Sequence, residues 1–416
     1  MLKPDFRSYL PPLGKSRVAG VSSHEHAARL KTVERVISIF GNWKMLFHEP
    51  FKGLTTDGNI MPNLYSLKPD GTPVESAAKV ANTLMGLLSP ENKARACFDV
   101  KSEQWRNWQN TEIYVEEHGL RLDEIAQPTR NAVMDVVRAS LSERGYEKTS
   151  EVMRLNRVLG DLVGGPAVMN EWSYLFCLFG TPSAISPWGW QLFGHHLALN
   201  CLFIDGQMVL SPTFLGAEPI WADEGPFKGL HAFQDEERKG LDLMLSLSDD
   251  QQKIAVIANS MVGGDLPGDR RQIADGLHLG GAYQDNRIIP YEGLNGSNLS
   301  GPQQKSLLDL VQEYMIALPP DPLSARMGEI ERHIADTHFC WIGSRAEQEP
   351  FYYRIQSPVI LIEFDHHAGV YLTNTEPTNF HVHTLTRTPN GNDYGMDLIR
   401  QHYENARHHH QHDNLA

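Results

Sequence analysis

Cysteine is scarce in this sequence, and the four present (Cys97, Cys177, Cys201 and Cys340) stand far apart with no C-x-x-C pair. That spacing leaves no disulfide scaffold and no zinc ribbon, and three of the thiols lie in apolar runs, where reduced core cysteines belong. No stretch approaches the roughly 18 uninterrupted apolar residues of a membrane span. The first twenty residues also lack the apolar block of a secretory signal, so the expectation is a cytoplasmic protein with no membrane partner. Positive charge is short as well: 37 Lys and Arg against 51 Asp and Glu give a net charge of −14. With no basic cluster, a nucleic-acid partner is excluded, because phosphate binding needs grouped Lys and Arg. There is no internal repeat and no Pro- or Ser-rich linker.

What remains is ordinary globular composition, 41% apolar and 21% charged over 416 residues. Helical spacing of apolar residues predicts helices over His24–Phe47, Val74–Leu88, Leu120–Gly145 (broken or entered at Gln127-Pro128) and Tyr146–Leu162, with Cys97–Val100 a short strand. The centre is aromatic and aliphatic, and Asp205-Gly206 reads as the two-residue turn of a β-hairpin from about Gln191 to Pro212. Helices are expected again at Gln234–Leu247, Asp249–Met261 and Gln303–Leu318. From His338 the segments HFCWIG, FYYRIQ, VILIEFD and FHVHTLTR read as strands, followed by a helix over Met396–Arg407. The fold class is therefore α+β: a mostly antiparallel sheet of central and C-terminal strands, packed with helices from the N-terminal third and the middle. The expected organisation is an N-terminal arm over residues 1–26, one catalytic domain over 27–405, and a His-rich flexible tail over 406–416, excluded from the site.

The chemistry lies in strand parity. On FHVHTLTR a period of two puts His381, His383 and Arg387 on one face. On VILIEFD the same arithmetic leaves Glu363 and Asp365 together, opposite Ile360, Ile362 and Phe364. An antiparallel pairing of the two strands would bring these carboxylates near the two imidazoles. In the hairpin, His196 alternates with Gly194, Ala198 and Asn200 and is the pocket candidate; His195, alternating with apolar residues, is the structural one. Imidazoles with carboxylates are the ligand set of a divalent metal such as zinc, iron or manganese. His381, His383 and Glu363 make the first triad, with His196 as a further ligand or base. Lys52, Arg354 and Arg387 are candidates for anchoring an anionic substrate.

The segments FKGLTTDGN, WGWQLFGHHLALN, PTFLGAEP, YYRIQSPVILIEFD, HVHTLTR and DYGMDLIRQHY, in this order, resemble the domain of unknown function 3500 family of bacteria and fungi, from about residue 27 to residue 405. The resemblance places the family's G-H-H and H-x-H elements on Gly194, His195, His196, His381 and His383, and it implies no assigned activity.

Three functions follow as expectations. The first is a metal-dependent enzyme on a small organic substrate, with His196, His381 and His383 as ligands, Glu363 or Asp365 completing the shell or acting as base, and hydrolysis as the default reaction. The second is a metal-free lyase, isomerase or cyclase of secondary metabolism that moves protons with a histidine and a carboxylate. The third is a non-catalytic protein that holds a small ligand in the same cavity.

Overall fold

Long runs of β-branched and aromatic residues, bounded by Gly and Pro, give this chain its strands, and the sheet they form carries the whole architecture. The computed structural model describes residues 5–263, 266, 270–272 and 274–413, of which 406–413 by backbone alone. Among these, twelve strands form one sheet. In chain order they are β1 (Cys97–Phe98), β2 (Leu120–Arg121), β3 (Tyr174–Gly180), β4 (Trp188–Gly194), β5 (Leu197–Ile204) and β6 (Gln207–Ala217), then β7 (Val256–Ala258), β8 (Leu294–Asn295), β9 (His338–Gly343), β10 (Phe351–Gln356), β11 (Leu361–His367) and β12 (Thr378–Arg387). Their order across the sheet is β1-β3-β4-β5-β6-β12-β11-β10-β9-β7, with β2 on β3 and β8 on β9. All neighbours are antiparallel except the parallel pairs β1–β3 and β7–β9. The fold is thus α+β, and the central hairpin and the C-terminal strands share one sheet through the β6–β12 pairing.

The helices Gln127–Ser140, Gln234–Ser246 and Gly301–Met315 pack on one face. Trp190 donates its indole N–H to Ser140 of the helix Gln127–Ser140, and Tyr353 reaches Glu236 and Tyr314 of the helices Gln234–Ser246 and Gly301–Met315. The opposite face is also buried but carries polar side chains: Gln191, Asn200, Arg354, Gln356, Glu363, Asp365, His383 and Arg387. Irregular chain seals it. Residues 276–293 form neither helix nor strand and are stitched to this face by their own backbone. Leu279 and Gly280 N–H donate to Glu363, the Gly280 carbonyl accepts from Arg387, Pro290 from Arg354, and Ile289 from Gln356. Buried polar groups demand partners, and here a loop supplies them.

Several elements differ from the sequence reading. The first helix is two, Ser23–Leu30 and Glu34–Phe47, the former started by a capping box at Ser22. Gln127-Pro128 begins a helix, while Leu120–Arg121 is strand. Asp249–Ala255 gives way to β7, so the expected helix to Met261 stops early. A helix over Pro320–Arg332 was not anticipated, since three prolines at its edge disguise it. The last helix, Met396–Asp413, outruns Arg407. The side chains of the His-rich tail, and residues 1–4 of the arm, lie outside the described residues. No helix among the described residues is long and apolar enough to cross a membrane. The four cysteines are free thiols, three of them buried.

Of the candidate anion anchors, Arg387 belongs to this framework and Lys52 lies outside it. Arg387 is fully buried and spends its guanidinium on Asp393 (2.8 Å), Asp285 (2.6 Å) and the Gly280 carbonyl (2.7 Å), while Asp285 also takes Arg106 (2.8 Å) and the Tyr394 hydroxyl (2.9 Å). Lys52 is exposed and bonds the Gly58 carbonyl. Removing Arg387 would leave the buried Asp393 without a cationic partner and Asp285 with Arg106 alone. Arg387→Met is therefore expected to lower the unfolding free energy by about 3–5 kcal/mol in urea titration, and Lys52→Met to change it by less than about 0.5 kcal/mol.

Candidate metal centre

The run from Trp188 to Ile204 is not one strand: it turns back on itself at His195-His196, so that Gly194 pairs with Leu197. His196 adopts a left-handed backbone, φ 62°, a conformation that costs an ordinary side chain roughly 1–2 kcal/mol. Outside partners hold it there, its N–H donating to the Asn110 carbonyl (3.2 Å) and its carbonyl accepting from Gly216 N–H (2.9 Å). The strand-parity argument for His196 therefore fails in detail. The turn nevertheless aims its ring at β12.

On β12 the alternation holds. His381 and His383 lie on the polar face, and the three imidazoles converge, His196 Nε2 at 3.2 Å from His381 Nε2 and His381 Nε2 at 3.0 Å from His383 Nε2. One nitrogen from each ring falls within 4.8 Å of the others, and all three residues are buried. This group could hold a metal ion. Gly216, directly opposite His383 in the β6–β12 pairing, makes the room: a Cβ there would stand 3.0 Å from the His383 ring and 3.2 Å from the His196 ring.

The protonation pattern follows from the neighbours. Ala368 offers a carbonyl oxygen 2.8 Å from His381 Nδ1. A carbonyl can only accept, so Nδ1 carries the proton and Nε2 presents its lone pair to the cluster. Burial drives the pKa of His381 down to about 3, and those of His196 and His383 well below the ordinary value, with neighbouring imidazoles lowering each further. His195 stacks on His196 at 4.0 Å between centroids and donates from Nδ1 to Asn156 Oδ1 (2.8 Å), which makes it a support for the turn. Glu218, cradled by the N–H groups of Val370, Tyr371 and Leu372, stands 3.8 Å from His381 Nδ1.

The carboxylates of β11 take other positions. Asp365 is directly across from His383, and Glu363 two pairs further along, across from Leu385. Both Glu363 oxygens are occupied by Leu279 and Gly280 N–H and by the Tyr352 hydroxyl (2.7 Å). Burial opposes its charge, but His278, Arg354 and those N–H groups keep its pKa below the ordinary carboxylate value. Glu363 is thus held away from the triad, and His196 replaces it as third member. Asp365 is the reverse case: burial, with Glu363 and Asp275 adding, raises its pKa well above normal, and its Oδ1 lies 3.3 Å from His278 Nε2. Arg354 is likewise turned aside, onto Glu292 (2.8 Å) and the Pro290 carbonyl.

Two histidines escaped the sequence reading. His278, fully buried with its pKa lowered by burial to about 4, comes from the irregular cover, where no periodicity marks it. His367 follows Glu363 and Asp365 at strand parity and could have been read from LIEFDHH. A register shift between His366 and His367 leaves its ring 5.0 Å from that of His381 and 4.4 Å from that of His383.

With this geometry in view, the chain matches the family DUF3500, described as protein of unknown function, over residues 70–396. No curated protein and no solved structure matches it.

The lowered imidazole pKa values set an acid limit on stability. Between the unfolded value near 6.5 and the folded value of about 3 for His381, the unfolded chain binds protons that the folded chain refuses. In metal-stripped protein the urea midpoint should therefore fall as pH drops from 6.5 toward 4, and His381→Gln should flatten that fall. An equal slope in both proteins would show that the imidazoles are not held neutral.

Proposed function

The chain belongs to this family of proteins of unknown function, and from that premise we propose that it is a metal-dependent enzyme acting on a small organic molecule, with hydrolysis as the default reaction. The observation that carries the reading is the convergence of three buried Nε2 atoms on one point. His381 Nε2 has no proton to give, and its single lone pair cannot satisfy two neighbours well. A cation resolves the conflict by taking a lone pair from each ring. Zinc–nitrogen bonds of about 2.0–2.1 Å would put the nitrogens of a tetrahedral site about 3.3 Å apart, close to the observed 3.0 and 3.2 Å. Three protein ligands leave a fourth position open, as catalytic rather than structural sites do. A divalent ion there would polarise a carbonyl or bring a water near neutral pKa.

The chain's own residues would do the rest. Ala368 fixes the His381 tautomer, the His195–Asn156 pair sets the His196 ring, and Asp365, kept toward its protonated form, can hand a proton to or take one from His278. That last pair also favours a second reading, metal-free proton transfer by Asp365 and His278.

Elemental analysis separates the two. Protein truncated after Arg407 and purified without a metal-affinity column should carry about one divalent ion per chain, and His381→Ala and His383→Ala should each lose it while remaining folded by circular dichroism. A metal-free wild type that also fails to take up zinc, iron or manganese would sink the metal reading and leave the proton-transfer one.

A further inference from the structure

A groove of about 920 Å³ opens between the helices Ser23–Leu30 and Glu34–Phe47 on one side and residues 367–370 on the other. Its size is that of a small-molecule site. Leu30, Val33, Val36, Ile39 and Phe40 form an apolar wall, and Val33 and Val370 are left 44% and 40% exposed in it. Open apolar surface of this kind gains by being covered.

The charge of the lining is unlike that of the protein. In a chain of net charge −14, the described residues of the lining include Arg17, Arg35 and Arg271 and one carboxylate, Glu112. Burial works against charge on Glu112, yet His26 at 2.9 Å and Arg17 at 3.7 Å pull its pKa far below normal, so it remains an anion committed to those two partners. Among the described residues of the lining, Arg17 and Arg271 stand against that one committed carboxylate.

The groove ends beside the candidate metal centre, one residue short of its three imidazoles. His367 and Ala368 form its inner end, the first in ring contact with His381 and His383, the second holding His381 Nδ1. His367 is fixed in the opposite tautomer to His381: its Nδ1 accepts from Ala368 N–H at 3.1 Å, so Nε2 carries the proton and can donate. Gly276 leaves it space, since a Cβ there would stand 2.9 Å from the His367 ring. The field of Arg271 is felt at His367, whose pKa burial lowers first and His381, His278 and Arg271 lower further.

We propose that this groove is the substrate site and that it takes a small organic anion, a carboxylate on an apolar body, with its charged head between Arg271 and the His367 N–H. The assignment rests on the metal-centre reading for its chemistry, though not for its binding. The cations that anchor the substrate are then Arg17 and Arg271 in place of Lys52, Arg354 and Arg387.

Calorimetry on chelated protein tests the groove apart from the metal. The probes are 4-phenylbutyrate and its neutral amide. The carboxylate should bind at millimolar concentration or below, and the amide about tenfold or more weakly, the worth of a charge-assisted contact. Arg271→Ala should erase that discrimination, Val33→Glu should abolish carboxylate binding, and Lys52→Ala should change nothing. Failure of the carboxylate to bind, equal binding of the amide, or indifference to both groove variants would each overturn the assignment, whatever the metal content proves to be.

Discussion

The structure depends on one unusual requirement: both faces of a large sheet are buried, and one of them is polar. Alternation along β10, β11 and β12 sends Arg354, Gln356, Glu363, Asp365, His383 and Arg387 inward, where water cannot solvate them. Each needs a partner or it costs on the order of 1–3 kcal/mol. Residues 276–293 meet that need with peptide groups, which explains why so long a segment can be irregular and still be ordered. A helix or strand would have spent its N–H and C=O groups on itself, leaving none for Glu363, Arg354 and Arg387.

Of the buried polar atoms left without a hydrogen-bond partner, several gather at one place. His383 Nδ1, both nitrogens of His278 and Asp365 Oδ1 are buried with no hydrogen-bond partner, and they lie together beside the three converging imidazoles. On the same strands the Glu363 carboxylate and the Arg387 guanidinium are engaged, whereas Arg354 Nη1 and Gln356 Oε1 are also left without a partner. A gathering of unpaired imidazole and carboxylate atoms is where functional chemistry is expected, because such titratable groups are the ones a reaction uses.

How much of this could be read in advance depended on period. FHVHTLTR and VILIEFD have clean alternation, and the shared face of His381, His383, Glu363 and Asp365 followed from it. The position of His196 did not, because a His-His pair lacks the Gly, Asn or Asp that marks a two-residue turn, and the turn is imposed by Asn110 and Gly216 from outside. Glu363 was misjudged as a ligand for a related reason: its partners are backbone N–H groups some 84 residues away, and backbone groups have no sequence signature. Arg387 and Lys52 show that charge type alone does not separate a buried clamp from a solvated side chain. Arg17 and Arg271, at the groove, carry no local signal at all.

The β6–β12 junction has a mechanical meaning. Strands β1 to β6 come from residues 97–217 and strands β7 to β12 from residues 256–387, and the two sets touch edge to edge only where β6 meets β12. His196 belongs to the first set, His381 and His383 to the second, 185 residues away. A cation bound by all three would act as a rivet across this seam, so that the work needed to part the two half-sheets and the work needed to extract the ion become a single quantity.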